Sequence, residues 1–271
     1  MSASPTAPPG SLPPGLRIAV TGGSAGIGEA ICRLLDAQQA KVFNLALRTG
    51  SAGGGETFIE TDMRSRDSVE QAFRKIEHVA GGLDALVNNA GIAFVGGIED
   101  GSDEQWLELL NVNLMGYRRA TVCALPLLRT SRSPAIVNIS SCSATSGITR
   151  RAAYSASKGA IHSMTLSIAA DLVHEGIRVN GVVPGTVETP FMHALIDAAS
   201  DPAAQRREYE RRQPTARMVD PAEVAHAVSF LINPACGSVT GSFVVVDGGL
   251  ASLRTLRSQT AQSADDVRGP R

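Results

Sequence analysis

Short apolar runs alternate along the chain with longer stretches whose apolar residues recur every three or four positions. The runs are continuous, without intervening polar residues, which is typical of strands buried on both faces of a parallel sheet. The longer stretches predict helices with an apolar face. Their alternation predicts right-handed crossovers, and hence an α/β fold in which helices flank a doubly wound parallel sheet. The predicted strands are 17–20, 41–45, 85–87, 136–139, 178–183 and 243–246.

Composition separates one folded domain from two ends of different character. The chain has 271 residues, of which 43% are hydrophobic, enough for one sizeable core. Residues 16–250 show neither an internal repeat nor a break in composition, so we predict a single domain there. Residues 1–15 combine prolines with Ser, Ala and Gly, which predicts a disordered arm. Residues 251–271 are polar without a sustained period and predict a flexible tail.

Charge and cysteine content exclude several classes of function. Lys and Arg number 25 and Asp and Glu number 26, so no broad positive field is expected to bind nucleic acid or a membrane surface. The longest apolar runs are far shorter than the roughly 20 residues of a membrane-spanning helix. The four cysteines lack metal-ligand spacing, and the N-terminus lacks the pattern of a secretory signal. We therefore expect a cytoplasmic protein that binds no metal and acts on a small molecule.

A glycine-rich turn follows the first predicted strand and precedes a helical pattern that begins at Glu29. Glycines at such a turn let the backbone approach a pyrophosphate, and the N-terminus of the following helix attracts its negative charge. The strand before the turn and the helix after it favour a dinucleotide site over a flexible loop. The residues expected to contribute are Gly22, Ser24, Gly26, Ile27 and Gly28.

The same turn is one of several segments that resemble the short-chain dehydrogenase/reductase family. In chain order they are 21–28 (TGGSAGIG), 88–91 (NNAG), 113–116 (NLMG), 140–141 (SS), 154–158 (YSASK) and 184–189 (PGTVET). The resemblance covers residues 16–250. It implies a single-domain Rossmann-type fold, an NAD or NADP cofactor and a homotetramer.

The spacing of Tyr154 and Lys158 itself suggests chemistry. Residues four apart share a helix face, so we expect the ammonium to lower the pKa of the phenol towards neutrality and make Tyr154 a general acid or base. Hydride transfer to a carbonyl develops negative charge on oxygen, which needs a second donor. Ser141 suits that role because it stands thirteen positions before Tyr154, the usual offset in the family. By resemblance, Asn113 holds a water that links the lysine to solvent.

The preferred dinucleotide depends on the end of the second predicted strand, where an acidic residue would accept hydrogen bonds from the 2′-hydroxyl of NAD. Residues 45–48 contain no acid, and Arg48 could pair with a 2′-phosphate, so NADP is favoured and NAD stays open. Asp62, followed by Met63, resembles the family's adenine contact, with a helix cap as the alternative. The resemblance also implies cofactor contacts from Asn89, Ala90, Gly91, Tyr154, Lys158, Pro184, Gly185, Val187 and Thr189.

The substrate is expected to meet the segment after Pro184, with Ser141, Arg151, Tyr154 and His193 as candidate contacts. The arginines of 206–212 fit a solvated helix face better than an anion or polyol site, although the region weakly resembles sugar and sugar-acid dehydrogenases. We therefore expect an alcohol or carbonyl substrate, possible classes being a sugar or sugar acid, a 3-oxoacyl thioester or a steroid. A different class of function is also open, a catalytically silent nucleotide-binding sensor or scaffold. Such a protein would usually lack Tyr154 or Lys158.

Two surfaces predict self-association. The helix that carries Tyr154 has small or apolar residues on more than one face. A single contact with the sheet would leave part of this apolar surface uncovered. The segment 241–249 ends in an apolar strand whose edge needs a partner. Together they predict a homotetramer.

Overall fold

The computed structural model describes residues 11–50 and 55–255. In these residues seven parallel strands form one sheet in the order β3-β2-β1-β4-β5-β6-β7. The strands are β1 Arg17–Thr21, β2 Lys41–Ala46, β3 Thr57–Glu60, β4 Ala85–Asn88, β5 Ala135–Ile139, β6 Arg178–Pro184 and β7 Phe243–Val246. The helices are α1 Gly26–Ala37, α2 Arg66–Ala80, α3 Asp103–Leu110, α4 Gly116–Leu128, α5 Ala152–Leu172, α6 Pro190–Asp197, α7 Pro202–Arg211 and α8 Pro221–Ile232. The predicted doubly wound fold is confirmed.

Helices cover both faces of the sheet because its strands are apolar on both sides. On one face α1 and α8 pack their apolar residues, among them Ile31 and Leu231, against the sheet. On the other face α2, α4 and α5 contribute Phe73, Leu128 and Leu172 to a second core. The result is three layers, with the apolar residues of the central strands divided between the two cores.

Strand β3 was not predicted from the sequence. It pairs with β2 at the edge of the sheet, where Phe43 lies beside Thr57 and Leu45 beside Ile59. Only Ile59 of its four residues is buried. An edge strand this short and polar has no continuous apolar run by which to recognise it.

The first described residues correct the predicted limit of the disordered arm. Leu12 is only 2% exposed and belongs to the core beneath α1 and α8. The backbone N–H of Gly15 donates to the carbonyl of Gln39 at 2.8 Å. The segment 11–15 is therefore anchored to the domain by the Leu12 side chain and the Gly15 backbone, although Pro13, Pro14 and Gly15 are exposed. Residues 1–10 lie outside the described residues.

The end of the chain folds back beyond β7 for a few residues. The Asp247 carboxylate accepts the backbone N–H groups of Gly249 and Ala251, each at 2.8 Å. Residues 256–271, most of the predicted tail, lie outside the described residues. In the part of the chain that is described, no helix combines the length and apolarity needed to cross a bilayer.

The strand order reverses between β1 and β4, and this reversal places the site. Chain connections leave the sheet in opposite directions at such a point, so a crevice opens at the carboxyl ends of the two strands. The glycine turn follows β1 and the 88–91 segment follows β4, so both lie at the crevice.

Candidate active site

A cavity of about 770 Å³ opens at the carboxyl ends of the strands. Its walls come from the glycine turn, the ends of β2, β4 and β5, the first turns of α5 and the segment after β6. Most of the predicted site residues line it, namely Gly22, Gly26, Ile27, Asp62, Met63, Asn89, Ala90, Gly91, Ser141, Arg151, Tyr154, Lys158, Pro184, Gly185, Val187 and Thr189.

The glycine turn is compact, and side chains would not fit in it. Gly22 has a positive φ of 68°, and a Cβ there would come within 2.9 Å of the Cα of Ala90. A Cβ on Gly28 would overlap the carbonyl oxygen of Gly22. Gly28 thus packs the helix against the turn and does not line the cavity, whereas Gly26 does.

The start of α1 fits a dinucleotide pyrophosphate. The helix begins at Gly26, three residues before the predicted start, and Ala25 at its N-cap makes no side-chain hydrogen bond to the helix. The first N–H groups of a helix have no partner within it, so an alanine cap leaves them available to an anion. Gly22, Ala25, Gly26 and Ile27 all line the cavity at this point.

The loop after β4 is tied to the glycine turn by hydrogen bonds. The Thr21 hydroxyl accepts the backbone N–H groups of Asn89 at 2.9 Å and Ala90 at 3.0 Å. The Asn89 amide donates to the carbonyls of Thr21 and Gly22. These contacts hold the two walls of the cofactor crevice in one arrangement.

Ser141 and Tyr154 meet at the other end of the cavity. The Ser141 hydroxyl, after β5, lies 3.0 Å from the Ser143 hydroxyl and accepts the Ser143 N–H at 3.2 Å. Burial raises the pKa of Tyr154 to about 12, and the nearby Ser141 hydroxyl opposes that rise. Ser140 is buried and donates its hydroxyl to the Lys158 carbonyl at 3.1 Å. Of the two adjacent serines, Ser141 is thus the one whose hydroxyl lies beside the phenol.

Lys158 is buried behind the phenol. Its Nζ lies 5.8 Å from the centre of the Tyr154 ring and donates to the Ile139 carbonyl at 2.9 Å. Burial lowers the pKa of Lys158 to about 7. The sequence led us to expect that this lysine brings the pKa of Tyr154 towards neutrality, but the pKa of Tyr154 is raised instead. Lys158 is buried and Tyr154 is partly buried, and this desolvation disfavours the charged form of each.

Asn113 lies behind the cavity wall, in a π-helical turn, Asn111–Met115, between α3 and α4. Its amide oxygen accepts the Ile92 N–H at 2.8 Å, and its amide nitrogen donates to the Ile92 carbonyl at 3.0 Å and the Ser157 hydroxyl at 3.1 Å. Both amide hydrogens are therefore used within the protein. The side chain positions the loop at Ile92 against α5, and its role in holding a water stays a prediction.

Asp62 lies in the cavity wall after β3, already paired with a cation. Its carboxylate accepts the Arg64 backbone N–H at 2.9 Å and the Arg64 guanidinium at 2.8 Å, which holds the pKa of Asp62 below its usual range. The helix-cap alternative is wrong, because Ser65 caps α2 by accepting the Ser68 N–H. Arg64 and Glu108 also line this wall and were not predicted. The sequence offered one signal for Arg64, its closeness to Asp62 along the chain.

Three predicted residues besides Gly28 and Asn113 lie outside the cavity lining. Ser24 donates its hydroxyl to the Arg48 carbonyl and accepts the Asn44 amide at 3.1 Å. Arg48 is exposed at the end of β2, next to the cofactor end of the cavity. His193 is exposed and contacts Glu188 at 3.3 Å, so this geometry gives no support to its predicted substrate contact.

Comparisons with known proteins identify the family. A short-chain dehydrogenase/reductase family model, described as enoyl-(acyl carrier protein) reductase, matches residues 22–251. The 2-(S)-hydroxypropyl-CoM dehydrogenase 3 of Xanthobacter autotrophicus is 35% identical over 247 residues, covering 87% of this chain and 96% of the relative. The chain is a short-chain dehydrogenase/reductase.

Other members of the family are similar over nearly their whole length. A 3-oxoacyl-(acyl-carrier-protein) reductase of Vibrio cholerae is 33% identical over 238 residues, 85% of this chain and 95% of the relative. The ligand-free aldohexose dehydrogenase of Thermoplasma acidophilum matches with a TM-score of 0.85 at 35% identity, over 90% of this chain and 97% of that one. As a short-chain dehydrogenase/reductase, the protein is an oxidoreductase that uses a nicotinamide dinucleotide.

Proposed function

We propose that the protein interconverts a secondary alcohol and a carbonyl compound, with Ser141, Tyr154 and Lys158 as the catalytic residues. One observation carries the proposal: these three side chains line the same end of a cavity whose other end is a glycine turn fitted to a pyrophosphate. A nicotinamide dinucleotide bound in this cavity would supply the acceptor for a hydride from the alcohol carbon, or the donor of a hydride to the carbonyl carbon.

The two hydroxyls and the lysine supply the proton and the charge stabilisation. During reduction the carbonyl oxygen becomes negative, and the Tyr154 and Ser141 hydroxyls donate to it. The Tyr154 proton then completes the alcohol, because an alkoxide is more basic than a phenolate. During oxidation the same proton moves from the alcohol to the Tyr154 phenolate. Lys158, four residues further along α5, stabilises that phenolate when charged.

Replacing Tyr154 by Phe tests this proposal. We expect turnover to fall by about 10²- to 10⁴-fold while dinucleotide binding persists, because only the proton-transfer group is lost. Dinucleotide binding by Tyr154→Phe, measured by titration, is the control for correct folding of the variant. Near wild-type turnover by Tyr154→Phe would contradict the mechanism. Dinucleotide binding by the wild type without turnover of any alcohol would favour the sensor or scaffold.

We infer a preference for NADP over NAD from the end of β2. No carboxylate from β2 lines the cavity there, and the exposed Arg48 is held beside the glycine turn by Ser24. Measured kcat/KM should be higher with NADP than with NAD. Arg48→Ala should reduce the ratio of the two kcat/KM values by about tenfold, because the variant loses a charge-assisted hydrogen bond to the 2′-phosphate. Arg33→Ala on α1, an exposed arginine outside the cavity lining, is the control. A strong NAD preference in the wild type would refute this assignment.

For the substrate we propose a sugar or a sugar acid. The similarity to an aldohexose dehydrogenase supports this class, and the similarity to a 3-oxoacyl reductase keeps the thioester alternative. A screen of sugars, sugar acids, steroids and 3-oxoacyl thioesters with both dinucleotides separates them. For the compartment we propose the cytoplasm, since the four cysteines of the chain form no disulfide.

We propose a homotetramer, as the family resemblance implies. Among the described residues, strand β7 is the last strand of the sheet and pairs with β6 alone. Val245 on β7 is 53% exposed and Phe230 on α8 is 49% exposed. A symmetric partner that continues this edge would cover both side chains.

A further inference from the structure

The substrate end of the cavity carries two arginines and no carboxylate among the described residues. Arg151 and Arg212 both line it together with Ser141 and Tyr154. The carboxylates that line the cavity, Asp62 and Glu108, lie on the cofactor side, and both are within ion-pair distance of Arg64. Of the two arginines, Arg212 is paired with Glu208, which does not line the cavity, so the charge without an ion pair in the described residues is that of Arg151.

Arg151 has no counter-ion in the described chain. It precedes α5, and its backbone is held by a bridge to Gly96 and by the Gly96 N–H, which donates to the Arg150 carbonyl at 2.9 Å. Its side chain is partly buried, and one guanidinium nitrogen donates to the Phe94 carbonyl at 3.3 Å. Burial lowers the pKa of Arg151. A partly buried cation whose remaining donors face a cavity is poised for an anion.

Arg212 is held in place from two sides. Its guanidinium lies 4.5 Å from the centre of the Tyr209 ring, and Tyr209 is buried in a small core between α6 and α7. Glu208, one turn earlier, accepts from the guanidinium at 2.6 Å. These contacts fix the side chain and leave N–H groups for a ligand. Like Arg151, Arg212 lines the cavity, so both guanidinium groups are available to a ligand bound there.

We propose that Arg151 and Arg212 together bind the anionic group, a carboxylate or a sulfonate, of a small hydroxy or oxo acid. The guanidinium fork matches both oxyanions, and a bound anion would supply the counter-ion that Arg151 lacks in the described chain. Arg151 is the N-cap of α5, three residues before Tyr154, and both side chains line the cavity. The anion and the reacting carbon are thus separated by a short chain. This inference rests on the proposed hydride transfer at Tyr154.

The test compares an acid with its neutral ester. We expect wild-type kcat/KM to be at least about tenfold higher for 3-hydroxybutyrate, or the matching sulfonate, than for methyl 3-hydroxybutyrate. In Arg151→Gln and Arg212→Gln, kcat/KM for the acids should fall by about 10- to 100-fold, with little change for the ester. Unchanged turnover of the ester shows that the variants fold and bind the dinucleotide.

The chain provides matched controls, because each of the two arginines has an arginine neighbour that faces solvent. Arg150 and Arg211 are exposed and do not line the cavity, so Arg150→Gln and Arg211→Gln should keep the wild-type preference for the acid. The proposal is overturned if the wild type uses the ester as well as the acids, or if the control variants lose as much as the test variants. Preference for a neutral N-acetylcysteamine thioester over the acids would overturn it too.

Calorimetry separates this proposal from the proposed function. In the presence of NADP⁺, the affinity for 3-hydroxybutyrate should fall by about 10- to 100-fold in Arg151→Gln and Arg212→Gln. The two control variants should keep the wild-type affinity. That result supports the anion site even if no alcohol is turned over, an outcome that would refute the hydride transfer alone. Equal binding by all variants overturns the anion site even if turnover is observed.

Discussion

At the scale of single residues, burial governs the protonation of the proposed catalytic pair. Tyr154 has a pKa raised to about 12 and Lys158 a pKa lowered to about 7, both because of desolvation, which is partial for Tyr154 and complete for Lys158. The raised pKa favours the neutral phenol at neutral pH, which is the form that donates a proton during reduction.

This protonation predicts opposite pH dependences for the two directions. Oxidation requires the phenolate, whose fraction increases tenfold per pH unit below the raised pKa, so kcat/KM for the alcohol should rise from pH 7 to 9. Reduction uses the neutral phenol, and its kcat/KM should not rise over that range. Initial rates with the alcohol and the ketone, measured in one buffer series, check both. An oxidation rate that stays flat or falls between pH 7 and 9 would be inconsistent with the raised pKa.

At the scale of elements, the junction of strand, turn and helix holds the cofactor crevice together. Helix α1 begins directly after the glycine turn, and Gly28 in its first turn packs against the carbonyl of Gly22. The loop after β4 fastens to the same turn through Thr21 and Asn89. The crevice therefore depends on close backbone approaches that a single added methyl group disrupts.

Two glycines inside helices should respond differently to replacement by alanine. Gly28→Ala should weaken dinucleotide binding by at least about tenfold, since its Cβ would overlap the Gly22 carbonyl and displace the start of α1. Gly159 in α5 has no atom closer than 4.0 Å to an added Cβ. Gly159→Ala should keep binding and raise the free energy of unfolding by about 0.5–1 kcal/mol. Dinucleotide titrations and urea unfolding measure both effects, and unchanged binding by Gly28→Ala would disprove the packing argument.

At the scale of the whole molecule, the three layers bury the sheet faces but leave the β7 edge open. Val245 and Phe230 lie there with about half of each side chain exposed. Apolar side chains at an unpaired strand edge are typical of an interface between subunits. The surface of the single chain is thus consistent with the proposed tetramer.

Light scattering at micromolar concentration should give about four times the 28.2 kDa mass of one chain. Val245→Glu should shift the mass towards smaller species, because it places a charge in the proposed interface. Val79→Glu on α2 changes another half-exposed valine, away from β7, and should leave the mass unchanged. A monomer mass for the wild type would refute the assembly.

The sequence by itself determined the features that depend on neighbours along the chain. Apolar runs predicted six of the strands within a few residues, and the glycine turn and the Tyr154–Lys158 spacing located the cofactor and reaction ends. Backbone sterics and periodicity act over a few residues, so such patterns are visible in the sequence. The family resemblance added the pairing of Ser141 with Tyr154.

Only the tertiary structure decided what depends on residues far apart in the chain. The direction of the Tyr154 pKa follows from burial by surrounding elements, which outweighs the neighbouring lysine expected to control it. Leu12 is packed because α1 and α8 form a core that the proline-rich segment reaches. Arg212 lines the cavity, where the sequence favoured a solvated helix face, and its contacts with Tyr209 and Glu208 fix its side chain there. Long-range packing sets desolvation and charge proximity, and no local pattern encodes either.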